Sequence, residues 1–217
     1  MAGRGSIARL GSICIVVAAG CLVVPGSRSV FAQQLTEAQI LEALKPKGST
    51  RGLAATPEEQ RKMEEDRRFI DELRTRQKSR SLTPRDRDTV AKIAADKPSV
   101  DIEIKFEYKS DVITAEGRQF LQTVGRVMSN EQLKGTVFFI NGHTDAKGGS
   151  DYNQGLSQRR AEAVKRALIE EYRLPKDTLI AVGYGKNQLK NTADPLAGEN
   201  RRVQIVNTEQ AATAKAK

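Results

Sequence analysis

Cysteine and histidine are nearly missing from this 217-residue chain: it has Cys14, Cys21, a lone His143 and no tryptophan. Both cysteines fall in an apolar run near the N-terminus, so the remainder has no thiol for a disulfide or for nucleophilic chemistry. One histidine with no cysteine beyond that run argues against a zinc site, which takes three or four N, S or O ligands. No serine sits in a strand-turn-helix elbow and no glycine-rich motif resembles a phosphate loop, which argues against a hydrolase or nucleotide enzyme. Aromatic residues are 5% of the chain, and no nucleic-acid reader motif is present. No metal, cofactor or nucleic acid is therefore expected.

Apolar content is also low, at 38%, against 29% charged residues, so part of the chain carries solvated charge instead of core. The apolar residues that do occur together come first. Arg4 and Arg9, the run Ile13 to Val24, and Val30-Phe31-Ala32 before Gln33 have the order of a secretory leader, with cleavage expected after Ala32. The run is shorter than the roughly 20 residues a membrane span needs. Ala18-Ala19-Gly20-Cys21 also resembles a lipobox, so membrane association is expected only if Cys21 is lipidated; the apolar Leu22-Val23-Val24 behind it favours plain cleavage. Removing residues 1–32 takes away Arg4, Arg9 and Arg28 and no acid, which lowers the net charge from +9 to +6. A moderately basic exported protein suits an anionic envelope polymer or membrane surface.

Residues 33–98 are polar and helical in pattern. A short stripe of Ile40, Leu41 and Leu44 ends at Pro46-Lys47-Gly48. Thr56-Pro57-Glu58-Glu59 has the form of a capping box and opens a segment whose apolar members are Met63, Phe69, Ile70 and Leu73. Thr83-Pro84 opens another helix that runs to Ala95. The region reads as a charged helical spacer, or as a surface for an envelope partner.

The core domain is expected over residues 99–208, followed by a disordered tail at 209–217. Ser99 to Tyr108 alternates, with Val100, Ile102, Ile104, Phe106 and Tyr108 on one face, as a half-buried strand does. Thr114 caps a helix with Phe120, Leu121, Val124, Val127 and Met128 on one side. A strand over Gly135–Ile140, a helix from Asn153 to Tyr172, a strand over Leu179–Val182 and one over Arg202–Asn207 complete the order β-α-β-α-β-β. The predicted fold is α+β: a two-layer sandwich with a mixed sheet and its helices on one face.

One helix breaks its own pattern. Leu156, Val164 and Leu168 follow at four-residue steps, and Arg160 occupies the step between the first two. A partly buried arginine cannot shed its proton and needs acceptors. Asp145, at the end of the preceding strand, is the nearest in sequence. The two residues either close a buried salt bridge or face a pocket, where arginine grips a carboxylate and aspartate accepts from an ammonium. A ligand carrying both groups on one carbon, an amino-acid head group, suits the second arrangement.

The same residues carry a resemblance. Gly142-His143-Thr144-Asp145, Tyr152-Asn153, Leu156-Ser157 and Arg160-Ala161, with Gly183-Tyr184-Gly185 and Asn200-Arg201-Arg202-Val203, resemble the OmpA-like peptidoglycan-binding domain of Gram-negative envelope proteins. The resemblance covers about Val100 to Asn207. It implies non-covalent binding of the meso-diaminopimelate of peptide stems, with Asp145 on its ammonium, Arg160 on its carboxylate, Asn153 and Arg201 in support and Leu156 in the wall. The implied location is the periplasm, held to the cell wall or outer membrane. Two departures stand out: Lys109 replaces an acid or asparagine at the end of the first strand, and the proline usual after the Gly-Tyr-Gly segment is missing around Leu189. His143 is expected to shape its loop and not to act as a base.

Overall fold

Among the described residues three helices precede the first strand, and each starts at a residue whose side chain can close its open N–H groups. The computed structural model describes residues 35–46, 56–76 and 82–209. The leader, with its alternatives at Cys21 and Ala32, and the tail from residue 210 lie outside the described residues. Helix α1 (Glu37–Leu44) is capped by Thr36 and Gln39 in a reciprocal box. At the start of α2 (Pro57–Arg76), Glu59 N–H donates to Thr56 Oγ1 at 3.2 Å and Thr56 N–H donates to Glu59 Oε2 at 2.8 Å. Thr83 and Asp86 do the same for α3 (Pro84–Ala95). Each cap contributes about 1 kcal/mol by satisfying donors a helix start leaves open.

The sheet has four strands: β1 (Ser99–Ile102), β2 (Phe138–His143), β3 (Leu179–Gly185) and β4 (Val203–Asn207), in spatial order β1-β4-β2-β3. β4 runs antiparallel to both β1 and β2, and β2 and β3 are parallel. A parallel pair needs a crossover, which α5 (Ser150–Tyr172) supplies, while α4 (Ala115–Met128) joins β1 to β2. The β-α-β-α-β-β order and the mixed sheet are those expected.

Several boundaries differ, β3 for one running on to Gly185. The first strand ends at Ile102 instead of Tyr108, because its ladder partner β4 begins at Val203, directly opposite Ile102. The chain then turns back on itself, with Phe106 bridged to Ile113 and Lys109 in the left-handed region at φ 54°. The second strand is displaced to Phe138–His143, in register with Asn207 to Val203. Helix α5 begins three residues early, at Ser150, with Gly149 as a cap that makes no side-chain bond.

Alternation along the strands sends side chains to opposite faces. On the first face Val100, Ile102, Phe138, Ile140, Ala181 and Ile205 meet the apolar stripes of α4 and α5, with Ile40 and Leu44 of α1 joining them. On the second face Phe139, Ile180, Val182, Tyr184 and Val206 are covered by Ile70 and Leu73 of α2 and Val90 and Ile93 of α3. The domain's own helices lie on one face, as predicted, but the segment read as a spacer supplies a third layer on the other. Four buried apolar residues at i,i+3 spacing, with Phe69, Ala91 and Ala94 partly buried beside them, seat two otherwise charged helices.

Candidate functional site

The end of the sheet where β2 stops is shaped by how closely α5 approaches it. A Cβ on Gly142 would lie 2.3 Å from the Ser157 carbonyl, and one on Gly183 would lie 2.4 Å from the Gln158 nitrogen. Only glycine allows that contact. From this position α5 caps the outer edge of β3: Gln154 Nε2 donates to the Gly183 carbonyl at 2.7 Å, and Gln158 Oε1 accepts from Gly183 N–H at 2.7 Å. Ser157 Oγ accepts from Gly185 N–H at 2.8 Å. A strand edge that would otherwise attract another strand is satisfied, and α5 is fixed rigidly enough to place Arg160 one turn further along.

Arg160 is half-buried beside a cleft of about 580 Å³ whose lining includes Phe106, Glu107, Gly142, Arg160, Arg201 and Arg202. Its Nε donates to the Ser110 carbonyl at 3.0 Å, and its guanidinium lies 4.8 Å from the centre of the Phe106 ring. Burial pulls its pKa below the ordinary arginine value; Tyr152, Asp145 and Asp111 act against that and Arg201 with it. The buried salt bridge to Asp145 does not form. Among the described residues Arg160 has no carboxylate partner, whereas Arg201 pairs with Asp145 and Arg202 with Asp101.

Asp145 starts the loop between β2 and α5. One of its oxygens accepts from Lys147 N–H at 3.1 Å and the other from Arg201 Nη1 at 2.9 Å. Asn153 is buried and donates to the Lys147 carbonyl at 3.0 Å, so it holds the same loop from the helix side. Leu156 is buried and is not among the residues lining the cleft. The structure thus brings Asp145 and Arg201 into contact, sets Arg160 and Arg201 in one cleft, and turns Asn153 to the loop backbone.

Two features of the site escape a sequence reading. Asn200 is fully buried and staples the loop that delivers Arg201, donating to the carbonyls of Asn191 at 3.2 Å and Asp194 at 3.0 Å. Phe106, read as one more apolar member of a strand, carries the Arg160 guanidinium on its ring. No residue pattern announces that role, because the chain turns at Lys109 in the left-handed region, which glycine and asparagine enter more readily than lysine.

His143 is buried and stacked on Tyr184, with ring centres 5.4 Å apart. Burial first, then the charge of Arg202, depress its pKa to about 3, while Asp101 and the Gln188 carbonyl oppose the shift without reversing it. Neither ring nitrogen has a well-formed hydrogen bond to the protein, the Gln188 carbonyl acting only as a weak acceptor. A neutral imidazole in that setting holds the strand end in place. Beneath it, Asp101 would be raised by burial alone, but Lys190 and Arg202 hold its carboxyl below the usual range.

Residues 105–202, which follow α1–α3 and β1, match the model of the OmpA family. Outer membrane porin F of Pseudomonas aeruginosa is 32% identical over 104 residues, which is 48% of this chain and 29% of that protein. The putative lipoprotein YfiB of Escherichia coli K12 is 34% identical over 106 residues, 48% of this chain and 63% of that protein. Among solved structures, the peptidoglycan-associated lipoprotein of Burkholderia pseudomallei matches with 28% identity and a TM-score of 0.40, over 52% of this chain and 92% of that one. The chain matches less than a third of the length of the porin F and less than two thirds of the lipoprotein's.

Proposed function

We propose that this OmpA-family domain binds peptidoglycan non-covalently through the meso-diaminopimelate of its peptide stems, and that the chain is an exported, non-enzymatic protein of the periplasm tethered to the cell wall. The observation that carries the reading is Arg160: a half-buried guanidinium at a cleft, bonded to a backbone carbonyl and an aromatic face but to no carboxylate. A cation withdrawn from water at that depth is unfavourable unless it recovers interaction energy, and a ligand carboxylate supplies it. Asp145 accepts the ligand ammonium. Its present partner Arg201 is half exposed and free to turn toward the ligand carboxylate as the ammonium takes its place. Asn153 keeps the Asp145 loop in shape, and Leu156 is buried on the same helix as Arg160, about one turn before it. The names of the relatives, outer membrane proteins and lipoproteins, agree with an envelope location.

The test is co-sedimentation of the purified protein with diaminopimelate-type sacculi, comparing wild type with Asp145→Ala, Arg160→Ala and Arg160→Lys. Loss of a charge-assisted bidentate contact should weaken binding about tenfold to a hundredfold. Lysine keeps the charge but loses the fork, so Arg160→Lys should recover little. If folded Asp145→Ala and Arg160→Ala proteins pellet as wild type does, the pair is structural and the reading fails.

A further inference from the structure

We propose that Phe106 is a positioning residue for Arg160, fixing the guanidinium so that its Nη end meets a free ligand carboxylate. The inference rests on the proposed carboxylate grip and names what orients it. A guanidinium has five N–H donors in a rigid fork. Nε–H is already spent on the Ser110 carbonyl at 3.0 Å, and no protein acceptor among the described residues takes the four Nη hydrogens. Recognition is therefore end-on, through both Nη groups, and its geometry depends on what holds the plane of the group.

Two constraints do so, and both come from one turn. The Phe106 ring lies 4.8 Å from the guanidinium carbon, within the range where the face of an aromatic ring attracts a cation. The Ser110 carbonyl is delivered by a turn closed by Glu107 N–H on the Val112 carbonyl at 2.9 Å and Ser110 N–H on the Glu107 carbonyl at 3.1 Å. Phe106 itself is bridged to Ile113 and packs against the first-face core, so the ring is not free to move away. The chain reverses in that turn through Lys109 at φ 54°, a left-handed conformation that lysine adopts at some cost. The lysine that departs from the resembled pattern thus belongs to the support of Arg160 through its backbone.

A direct apolar contact between Phe106 and the ligand is the competing explanation, because Phe106 also lines the cleft. Two probes separate them: a disaccharide tripeptide ending in diaminopimelate with its side-chain carboxylate free, and the same molecule with that carboxylate amidated. Affinities of the purified protein for both are measured by calorimetry for wild type, Phe106→Leu and Phe106→Trp, with circular dichroism as a check on folding. Phe106→Leu should lose about three- to tenfold for the free acid and little for the amide, so that the preference for the acid collapses. Phe106→Trp, which restores an aromatic face, should recover it. Equal losses for both probes, or no loss for either, would overturn the positioning role while leaving peptidoglycan binding intact. If wild type binds neither probe, the grip and the inference fall together.

Discussion

The two faces of the sheet are covered in different ways. On the first, α4 buries seven residues, among them Phe120, Leu121, Val124 and Val127, and α5 adds eight. On the second, the twenty residues of α2 bury only Ile70 and Leu73, and α3 buries Val90, Ile93 and the capping Asp86. What remains on α2 and α3 is mostly charge, with Phe69, Ala91 and Ala94 partly buried against the same cluster. The second layer is held by a few apolar anchors and by polar ties at its margin, including Tyr184 O–H on the Arg87 carbonyl at 3.3 Å. A helix can therefore belong to a fold while reading as solvated, provided its few apolar residues are spaced to meet one surface. The first face holds the architecture and carries Arg160; the second closes the back of the strands that end in the site.

The first test of that contrast is acid. His143 stacks on Tyr184 of the second face, and its folded pKa of about 3 lies well below the ordinary 6.5. Between those values the unfolded chain binds a proton that the folded one refuses, so stability is complete above about pH 6.5 and falls as the pH is lowered. The slope approaches 1.4 kcal/mol per pH unit, or about 3 kcal/mol between pH 6.5 and pH 4. Asp101 acts in the same direction, but its depressed carboxyl gives up its contribution only below the ordinary aspartate range. Urea midpoints at pH 7 and pH 4 should therefore differ much more for wild type than for His143→Phe, which keeps the stacked ring and removes the titration. Parallel losses in the two proteins would show that His143 protonates freely in the fold.

A pair of truncations sharpens the comparison. Leu168 on α5 and Leu73 on α2 are both fully buried. Leu168→Ala should cost about 3–5 kcal/mol and lower the whole unfolding transition, since it opens a cavity in the densely packed face. Leu73→Ala should cost about 2–3 kcal/mol, and hydrogen exchange should report it as lost protection in α2 and α3 with α4 and α5 unchanged. Uniform loss of protection in the second variant would mean that the two layers unfold as one.

β1 and α4 were legible because each carries a period, two for Val100 and Ile102 and near 3.6 for Phe120 to Met128, while β2 and β3 were legible as short apolar runs. Arg160 was legible as a break in such a period. The third layer was not, because Phe69-Ile70 and Leu73 are too few in a charged helix to declare a partner. The pairing at the site was also hidden. Arg201 reaches Asp145 across 56 positions of sequence, through a loop that Asn200 shapes with backbone bonds no pattern predicts. Early termination of β1 was fixed by where β4 begins, which is a property of the sheet and not of the segment itself.

The smallest effect concerns the margin between the layers. Arg74, in the last turn of α2, donates from Nε to the Asp177 carbonyl at 2.9 Å and from Nη2 to its carboxylate at 2.6 Å, just ahead of β3. The Asp177 hydrogen bond is the main reason its pKa is raised. Both side chains are substantially exposed, so the ionic part is screened and Arg74→Ala should cost no more than about 1 kcal/mol. In a chain of this size that is a fall in Tm of about 2–4 °C. Arg74→Lys should fall between the two, since an ammonium cannot hold the carbonyl and the carboxylate with one planar fork. The informative variable is salt: screening weakens the ion pair but not the bond to the carbonyl. Part of the difference between wild type and Arg74→Ala should therefore persist at 1 M sodium chloride, and its complete disappearance there would mean that α2 is held at this edge by charge alone.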